Sequence, residues 1–242
     1  MNYKVTLAFD GSKYSGWQFQ KNAPTIQGTL TECAEKFFSS PVTVTGCSRT
    51  DSKVHAENYV CNIKTSAEIS PRGIVKGLNC ILPSDIAVKD CEQKDEDFHA
   101  RYDCKFKEYH YIILNSENRN PFFDKRAFHF PIHLSEETMD REIKKLIGKY
   151  DFSSFMASGS KITDTVRTIR SASVKRDGDF ITVSVSADGF LYNMVRIIVG
   201  TLIDISLERN KMDISEIIEK KDRKYAGFTA SPEGLYLYRV EY

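Results

Sequence analysis

The sequence predicts an α+β protein made of two ferredoxin-like halves, each with the element order β-α-β-β-α-β. Three observations support this class. Helix-periodic and strand-like runs alternate, the same order of elements occurs twice along the 242 residues, and no Gly/Ser-rich or Pro-rich linker separates the halves. We expect the two sheets to join into one mixed, mainly antiparallel sheet, with a central cleft at the junction as the natural ligand site.

The first half, residues 1–105, contains two predicted helices. The first lies over "TIQGTLTECAEKFF", where apolar residues recur at helical spacing, and the second lies near "PRGIVKGLN". Strands are predicted for "YKVTLAF", "VTVTG", "NYVCNIKT" and "IAVKDCE". A polar loop within "GCSRTDSKVHA", residues 46–56, joins the two central strands, so it lies at an end of the predicted sheet.

The second half, residues 106–242, begins with a predicted strand, "EYHYIIL", and a predicted helix, "SEETMDREIKKLIGKY". Two strands, "VRTIRSASVKR" and "DFITVSVSA", meet at Asp177-Gly178, which is a hairpin signal. An apolar helix over residues 190–205, a short helix near "ISEIIEK" and a last strand, "LYLYRVEY", complete the half.

The composition is typical of a soluble globular protein, with 41% hydrophobic and 28% charged residues. "MNYKVTLAFDG" lacks the features of a secretion signal, and the apolar run "FLYNMVRIIVGTLIDI" is too short to span a bilayer. The six cysteines include no C-x-x-C pair, which favours reduced thiols in the cytoplasm. The net charge of +1 leaves the partner undecided, because a basic stripe on one face can be offset by acids elsewhere.

The sequence lacks the motifs of several kinds of chemistry. There is no H-E-x-x-H pattern for a metal, no G-x-x-x-x-G-K-[ST] loop for a nucleoside triphosphate and no G-x-S-x-G elbow for a serine hydrolase. We therefore expect no metal and no cofactor, and a reaction that a single carboxylate can perform.

Asp51, in the polar loop, is one candidate carboxylate. On the loop alone, an ordinary turn in which Asp51 accepts from nearby backbone N–H groups is the simpler interpretation. The alternative is a catalytic nucleophile or base, which needs a cation to keep it ionised when a substrate closes the site. Arg196 is a candidate for that cation, because apolar residues surround it on every face of its predicted helix. Loss of the partner of a buried charge costs roughly 3–5 kcal/mol, although an arginine at a helix edge can instead reach water.

Several aromatic and basic residues are compatible with RNA binding. Alternation in "KEYHYIIL" places Tyr109 on one face of a strand, where it either packs in the core or stacks on a base. "FDGSKYSGWQFQK" interleaves basic and aromatic residues, and Arg101 in "DFHARYD" adds a further cation. The relevant positions of the interleaved segment are Lys13, Tyr14, Trp17 and Lys21.

The polar loop "GCSRTDSKVHA" resembles the "GRTDAGVHA" motif of the TruA family of tRNA pseudouridine synthases. Five further segments resemble motifs of that family, in the same order along nearly the whole chain. They are "FDGSKYSGWQFQ", "LNCILPSDIAV", "DFHARYDCKFKEYHYII", "FLYNMVRIIVGTLIDI" and "AGFTASPEGLYLYRVEY". The resemblance implies the pseudouridine synthase fold and an isomerase that acts on uridine of the anticodon stem-loop, at nucleotide positions 38–40 of tRNA, without a cofactor.

The resemblance also implies a role for each matching residue. Asp51 matches the catalytic aspartate, and Arg196 matches the arginine that pairs with it. Tyr109 matches the tyrosine that packs on the target base, and Leu235 matches an apolar wall of the pocket. Four further residues are implied to contact RNA or to assist in flipping the target nucleotide: Arg49, Lys53, His55 and Arg101. The family acts as a homodimer on one tRNA.

The chain departs from the family motif near the aspartate. Ser48 stands where the family has Ala or Gly, and Ser52 and Lys53 replace Ala-Gly. We therefore keep two alternatives open. One is a catalytically inactive tRNA-binding or chaperone paralogue, and the other is a synthase with a shifted or narrowed set of RNA targets.

Overall fold

The computed structural model describes residues 1–160 and 162–242, which divide into two compact units. The first unit comprises Met1–Lys105 together with Tyr236–Tyr242, and the second comprises Phe106–Leu235. The end of the chain, which the sequence prediction put in the second half, thus belongs to the first unit. The α+β class with mainly antiparallel pairing is confirmed.

Residues 2–94 of the first unit form a four-stranded antiparallel arrangement with two helices. Its elements up to residue 94 are β1 (Asn2–Phe9), α1 (Ile26–Phe38), β2 (Thr43–Gly46), β3 (His55–Lys64), α2 (Pro71–Ile81) and β4 (Ile86–Lys94). The strand order is β4-β1-β3-β2 with antiparallel neighbours, as in a split β-α-β unit. Alternation along β1 buries Tyr3, Val5 and Leu7 completely. The loop between β2 and β3 is the polar loop of the sequence prediction.

The second unit is built on the strand order β5-β9-β8-β7, with antiparallel neighbours. Its elements are β5 (Phe106–Leu114), β6 (Phe128–His129), α3 (Glu136–Ile143), β7 (Gly148–Asp151), β8 (Val166–Asp177), β9 (Phe180–Ala187), α4 (Met194–Ser206) and α5 (Ile214–Lys220). The short β6 pairs in parallel with β5. Helix α4 is buried along most of its length, as its apolar sequence predicts.

Two helix boundaries differ from the prediction. The helix predicted over residues 135–150 ends at Ile143, because the chain turns at Gly148, with φ of 133°, into β7, which pairs with β8. Pairing with a distant strand overrides the local helical pattern. The apolar helix begins at Met194 instead of residue 190, because Asn193 adopts the left-handed conformation with φ of 58°.

The last strand, β10 (Leu235–Glu241), pairs in parallel with the start of β3, with Tyr236 opposite His55 and Leu237 opposite Ala56. Two side-chain hydrogen bonds hold the C-terminal segment against the first unit. The Asn58 amide donates to the Tyr238 carbonyl at 2.7 Å, and the Tyr242 hydroxyl donates to the Ala100 carbonyl at 2.7 Å. The end of the chain is therefore an integral part of the first unit.

Candidate active site

Main-chain hydrogen bonds hold the Asp51 loop, residues 47–54, on both sides of Asp51. The Thr50 carbonyl accepts from the Trp17 N–H at 3.2 Å, and the Lys53 N–H donates to the Tyr14 carbonyl at 3.2 Å. Within the loop, the Val54 N–H donates to the Asp51 carbonyl at 3.2 Å. These bonds fix the main chain on both sides of Asp51, whose side chain is only half-buried.

Two glycines allow a neighbouring segment to lie directly against the Asp51 loop. Gly16 has a φ of 89°, and a Cβ atom there would lie 2.4 Å from the Thr50 carbonyl oxygen. A Cβ atom on Gly11 would lie 2.0 Å from the Val54 carbonyl oxygen. Both distances are far below van der Waals contact, so this approach requires glycine.

An aromatic cluster supports the start of the loop. The Trp17 and Tyr59 rings stack with centroids 4.1 Å apart, and Phe9 packs on Tyr59 at 5.6 Å. The Tyr59 hydroxyl donates to the Ser48 carbonyl. Gly46 leaves room for this cluster, since its Cβ would lie 2.1 Å from the Tyr59 hydroxyl. Trp17 and Tyr14, which the sequence made candidates for an RNA groove, are instead buried side chains of this unit.

Arg49 and Lys53 lie exposed on the loop, on either side of Asp51. Lys53 adopts the left-handed conformation with φ of 66°. This conformation is natural for glycine and strained for lysine, and glycine is the residue that the family motif has at this position.

His55 does not face solvent, and its predicted contact with RNA is wrong. The residue is 1% exposed, and its ring stacks on Tyr236 with centroids 4.6 Å apart. The Nδ1 atom accepts from the Gly11 N–H at 3.1 Å and lies 3.2 Å from the Asp10 carboxylate. A histidine enclosed in this way fixes the end of the loop and cannot line the approach of an RNA.

Arg101 is not part of the cluster around the Asp51 loop. The neighbouring Ala100 N–H donates to the Asn62 amide oxygen at 3.0 Å, near the end of β3 that is remote from His55. The seven residue steps from His55 to Asn62 span about 23 Å of strand. Arg101 itself is exposed, with its guanidinium 6.0 Å from the Tyr102 ring centre.

In the second unit, Arg196 lies in the first turn of α4 and is half-buried. Its Nε atom donates to the Ala230 carbonyl at 2.7 Å, and its Nη1 atom donates to the Asn193 amide oxygen at 2.8 Å. The Ala230 N–H in turn donates to the Arg196 carbonyl at 3.1 Å. The guanidinium is thus held at a fixed orientation by two acceptors.

The segment that holds Arg196, residues 226–230, is pressed onto α4. A Cβ atom on Gly200 would lie 1.9 Å from the Phe228 carbonyl oxygen, and the Gly227 N–H donates to the Thr201 hydroxyl at 2.8 Å. Arg223 donates to the Ala226 carbonyl at 3.1 Å, and burial lowers its pKa. The sequence analysis included this segment in the motif "AGFTASPEGLYLYRVEY" but assigned it no contact with Arg196, and it did not single out Asn193.

Tyr109 and Leu235 are both buried in the structure. Tyr109, on β5, packs edge-on against Phe190 with ring centroids 4.9 Å apart. Its strand neighbour on the same face, Tyr111, donates to the Ser231 carbonyl at 2.6 Å, and burial raises the pKa of Tyr111 although the nearby Arg196 opposes the rise. Leu235 directly follows the short helical turn Pro232–Gly234.

Comparison with known proteins identifies the family. The sequence pattern described as tRNA pseudouridine synthase matches residues 6–103 and 143–242. The chain is 43% identical over 242 residues to tRNA pseudouridine synthase A of Thermoanaerobacter sp. (strain X514), covering all of this chain and 99% of the relative. The chain belongs to the tRNA pseudouridine synthase family. The synthases A of Acetivibrio thermocellus and Clostridium acetobutylicum are 42% and 40% identical over the same 242 residues, and each is covered to 99%.

Membership of the tRNA pseudouridine synthase family confirms the resemblance drawn from the motifs and the assignment as an isomerase. Among solved structures, a Cbf5-Nop10-Gar1 complex overlaps 97% of this chain and 57% of its own chain, at 11% identity and a TM-score of 0.32.

Two negative findings concern the described residues, 1–160 and 162–242. No helix there is long and apolar enough to cross a membrane. No group of three His, Cys, Asp or Glu side chains there is arranged to hold a metal ion.

Proposed function

We propose that the protein isomerises uridine to pseudouridine in the anticodon arm of tRNA, with Asp51 as the catalytic carboxylate. The observation that supports this role most is the way the Asp51 loop is held. Main-chain bonds to Tyr14 and Trp17 fix the backbone around Asp51, while its side chain remains partly exposed. A reactive group needs this combination of a fixed position and access to the substrate.

The reaction breaks the bond between N1 of uracil and C1′ of ribose and forms a bond between C5 and C1′. C5 loses its hydrogen and N1 gains a proton, so the base is rearranged without any change of redox state. Asp51 acts at the ribose, either as a nucleophile or as a base that assists the departure of uracil. The pocket must then keep the free uracil long enough to rotate and rejoin.

The remaining residues have supporting roles in this proposal. Arg196 pairs with Asp51 and keeps it ionised, Tyr109 packs on the target base, and Leu235 forms an apolar wall. Arg49 assists in flipping the target uridine, which costs a few kcal/mol and least in a loop or at a stem end. Lys53 and Arg101 contact RNA phosphates, in agreement with their exposure.

We also propose that two subunits act together on one tRNA, related by a two-fold axis. A chain of 242 residues is small beside an L-shaped tRNA, so a second subunit extends the surface that orients the anticodon arm. Light scattering of the purified protein is expected to give a dimer, and a monomer at the concentration used for catalysis would contradict this part of the proposal.

Tritium release from tRNA labelled with [5-³H]uridine tests the catalytic role. Formation of the C5 link expels the tritium, so the wild-type protein is expected to release it. Asp51→Asn and Asp51→Ala are expected to lower the rate at least about 1,000-fold. Both should bind tRNA with nearly unchanged affinity, because phosphate contacts dominate it.

Glu57→Gln is the matched control, because it removes an exposed carboxylate of the same unit. Substantial release by Asp51→Asn would remove Asp51 from its role. A wild-type protein that binds tRNA tightly but releases no tritium would favour the inactive RNA-binding paralogue. Mapping of pseudouridine in cells with and without the protein then identifies the targets, and sites lost only outside tRNA would overturn the substrate.

A further inference from the structure

We propose that Phe19 is a stacking platform for an RNA base close to the flipped uridine, and that Lys21 beside it binds an RNA phosphate. The inference rests on the proposed function, since it adds a contact for the same substrate. Its surface is defined as the Phe19 platform, residues 18–22, which are all exposed.

The first observation is that Phe19 exposes its aromatic ring, whereas the two aromatic residues nearest before it in the chain, Tyr14 and Trp17, are buried. Phe19 is 57% exposed, whereas Trp17, two residues before it, is 2% exposed. The covered part of the Phe19 ring lies over α1, where its Cδ2 atom is 3.2 Å from the place a Cβ of Gly28 would take. The ring is thus supported from below and open to solvent on the remainder of its surface.

The second observation is that the platform is ordered in advance by hydrogen bonds. The Gln27 side-chain oxygen accepts from the Phe19 N–H and from the Gln18 amide, both at 2.9 Å. The Gln27 amide in turn donates to the Val44 carbonyl at 2.9 Å. Gln20 donates to the Ser15 carbonyl at 3.0 Å. A surface held in this way loses little conformational entropy when it binds.

The third observation is continuity with the Asp51 loop inside the same compact unit. The Trp17 N–H donates to the Thr50 carbonyl at 3.2 Å, and Gly16 packs against the backbone of Thr50 and Asp51. Phe19 follows Trp17 by two residues, which limits their separation to about 7 Å of extended chain. An RNA whose uridine reaches Asp51 therefore has neighbouring nucleotides within reach of the platform.

The chemistry of the platform fits a nucleotide. Every base has a π-face, so stacking on an aromatic ring is tolerant of base identity, and the positive charge of Lys21 suits the phosphate. A nucleotide that flanks a flipped base has lost one of its own stacking neighbours. The ring of Phe19 replaces that neighbour in the complex.

The inference is tested by measuring binding and turnover of a tRNA transcript by the wild-type protein and three variants at Phe19. Phe19→Tyr keeps the aromatic face and is expected to stay within about twofold of the wild type. Phe19→Leu and Phe19→Ala remove it and are expected to raise Kd and KM about 10-fold, with kcat changed less than about threefold. Phe19→Leu keeps an apolar side chain over Gly28, so the test does not depend on the folding of Phe19→Ala.

Salt dependence separates stacking from charge. The slope of log Kd against log salt is expected to stay unchanged in Phe19→Leu, and to fall by about one unit in Lys21→Ala. If Phe19→Leu binds RNA as well as Phe19→Tyr, the stacking contact is overturned and an apolar surface for a protein partner is favoured. Kd is measured without turnover. An inactive wild-type protein would therefore contradict the proposed function, while the Kd values of the Phe19 variants would still test the stacking contact.

Discussion

The Asp51 loop and the Arg196 guanidinium are held by different kinds of contact. The loop is positioned by main-chain hydrogen bonds and by the close approach of Gly11 and Gly16, which works only because these residues lack a Cβ atom. Arg196 is positioned by donation from its own side chain to Ala230 and Asn193. A substitution that adds a Cβ atom at one of these glycines should therefore displace the loop. The position of the Arg196 guanidinium should instead depend on the acceptors that it contacts.

Among the variants that change how the loop and the arginine are held, Gly16→Ala is expected to have the largest effect, because its Cβ would lie 2.4 Å from the Thr50 carbonyl oxygen. The loop must shift, and displacement of a catalytic group by about 1 Å can cost roughly 100-fold in rate. We expect kcat/KM to fall beyond that value and the free energy of unfolding to fall by about 3 kcal/mol. Tritium release and urea unfolding measure the two quantities.

Gly159→Ala is the matched control, since Gly159 also has a positive φ, 85°, but nothing lies within 4 Å of the added atom. Backbone strain alone should cost about 1 kcal/mol there and leave activity unchanged. Equal losses of activity in the two variants would show that the close approach to Thr50 is unimportant.

Arg196→Met is expected to lower kcat roughly 100-fold, because it removes the cation proposed to keep Asp51 ionised. The free energy of unfolding should be affected less than kcat, since Met fills a similar apolar volume on α4. Asn193→Gly removes one acceptor of the Arg196 guanidinium, and glycine suits the left-handed conformation at this position. We expect this variant to lower kcat about 10-fold. If Arg196→Met turns over at a near-normal rate, the proposed pairing with Asp51 is wrong.

Tyr59→Phe is expected to have a smaller effect on the loop. It removes the hydroxyl that donates to the Ser48 carbonyl, and it leaves the ring stacked on Trp17. We expect a loss of about 1–2 kcal/mol in unfolding free energy and about 10-fold in activity. Tyr3→Phe removes a hydroxyl that accepts from the Ile69 N–H at 3.1 Å, so similar destabilisation without loss of activity is expected there. Activity that falls equally in both variants would contradict a specific role for Tyr59.

Lys53→Gly is expected to have the smallest effect on stability, a gain of about 0.5–1 kcal/mol from relief of the left-handed strain. Asparagine, like glycine, tolerates the left-handed conformation, so Lys53→Asn is a second variant, and both variants remove the positive charge. If the lysine narrows the set of accepted uridines, mapping should show additional anticodon-arm sites in both variants. Unchanged sites in both would mean that Lys53 contacts a phosphate or solvent only.

The sequence predicted well those features that depend on local patterns. Strand-like runs identified β1 and β3, and the charge of Arg196 in an apolar helix indicated that it needs partners. It could not show that β10 joins β3 or that a strand replaces the end of the helix after Ile143, because both depend on pairing between distant segments. The burial of His55 escaped prediction for the same reason, since Gly11 and Tyr236 enclose it.

The pairing of β10 with β3 has a consequence for synthesis of the protein. The ring of Tyr236 covers His55, the residue at which the Asp51 loop enters β3, yet Lys105 and Tyr236 are separated in the sequence by the whole of the second unit. At roughly 5–20 residues per second, a ribosome needs about 7–26 s to pass from Lys105 to Tyr236. During that time the nascent first unit exposes an unpaired edge of β3, so a chaperone that covers strand edges has a defined interval in which to act.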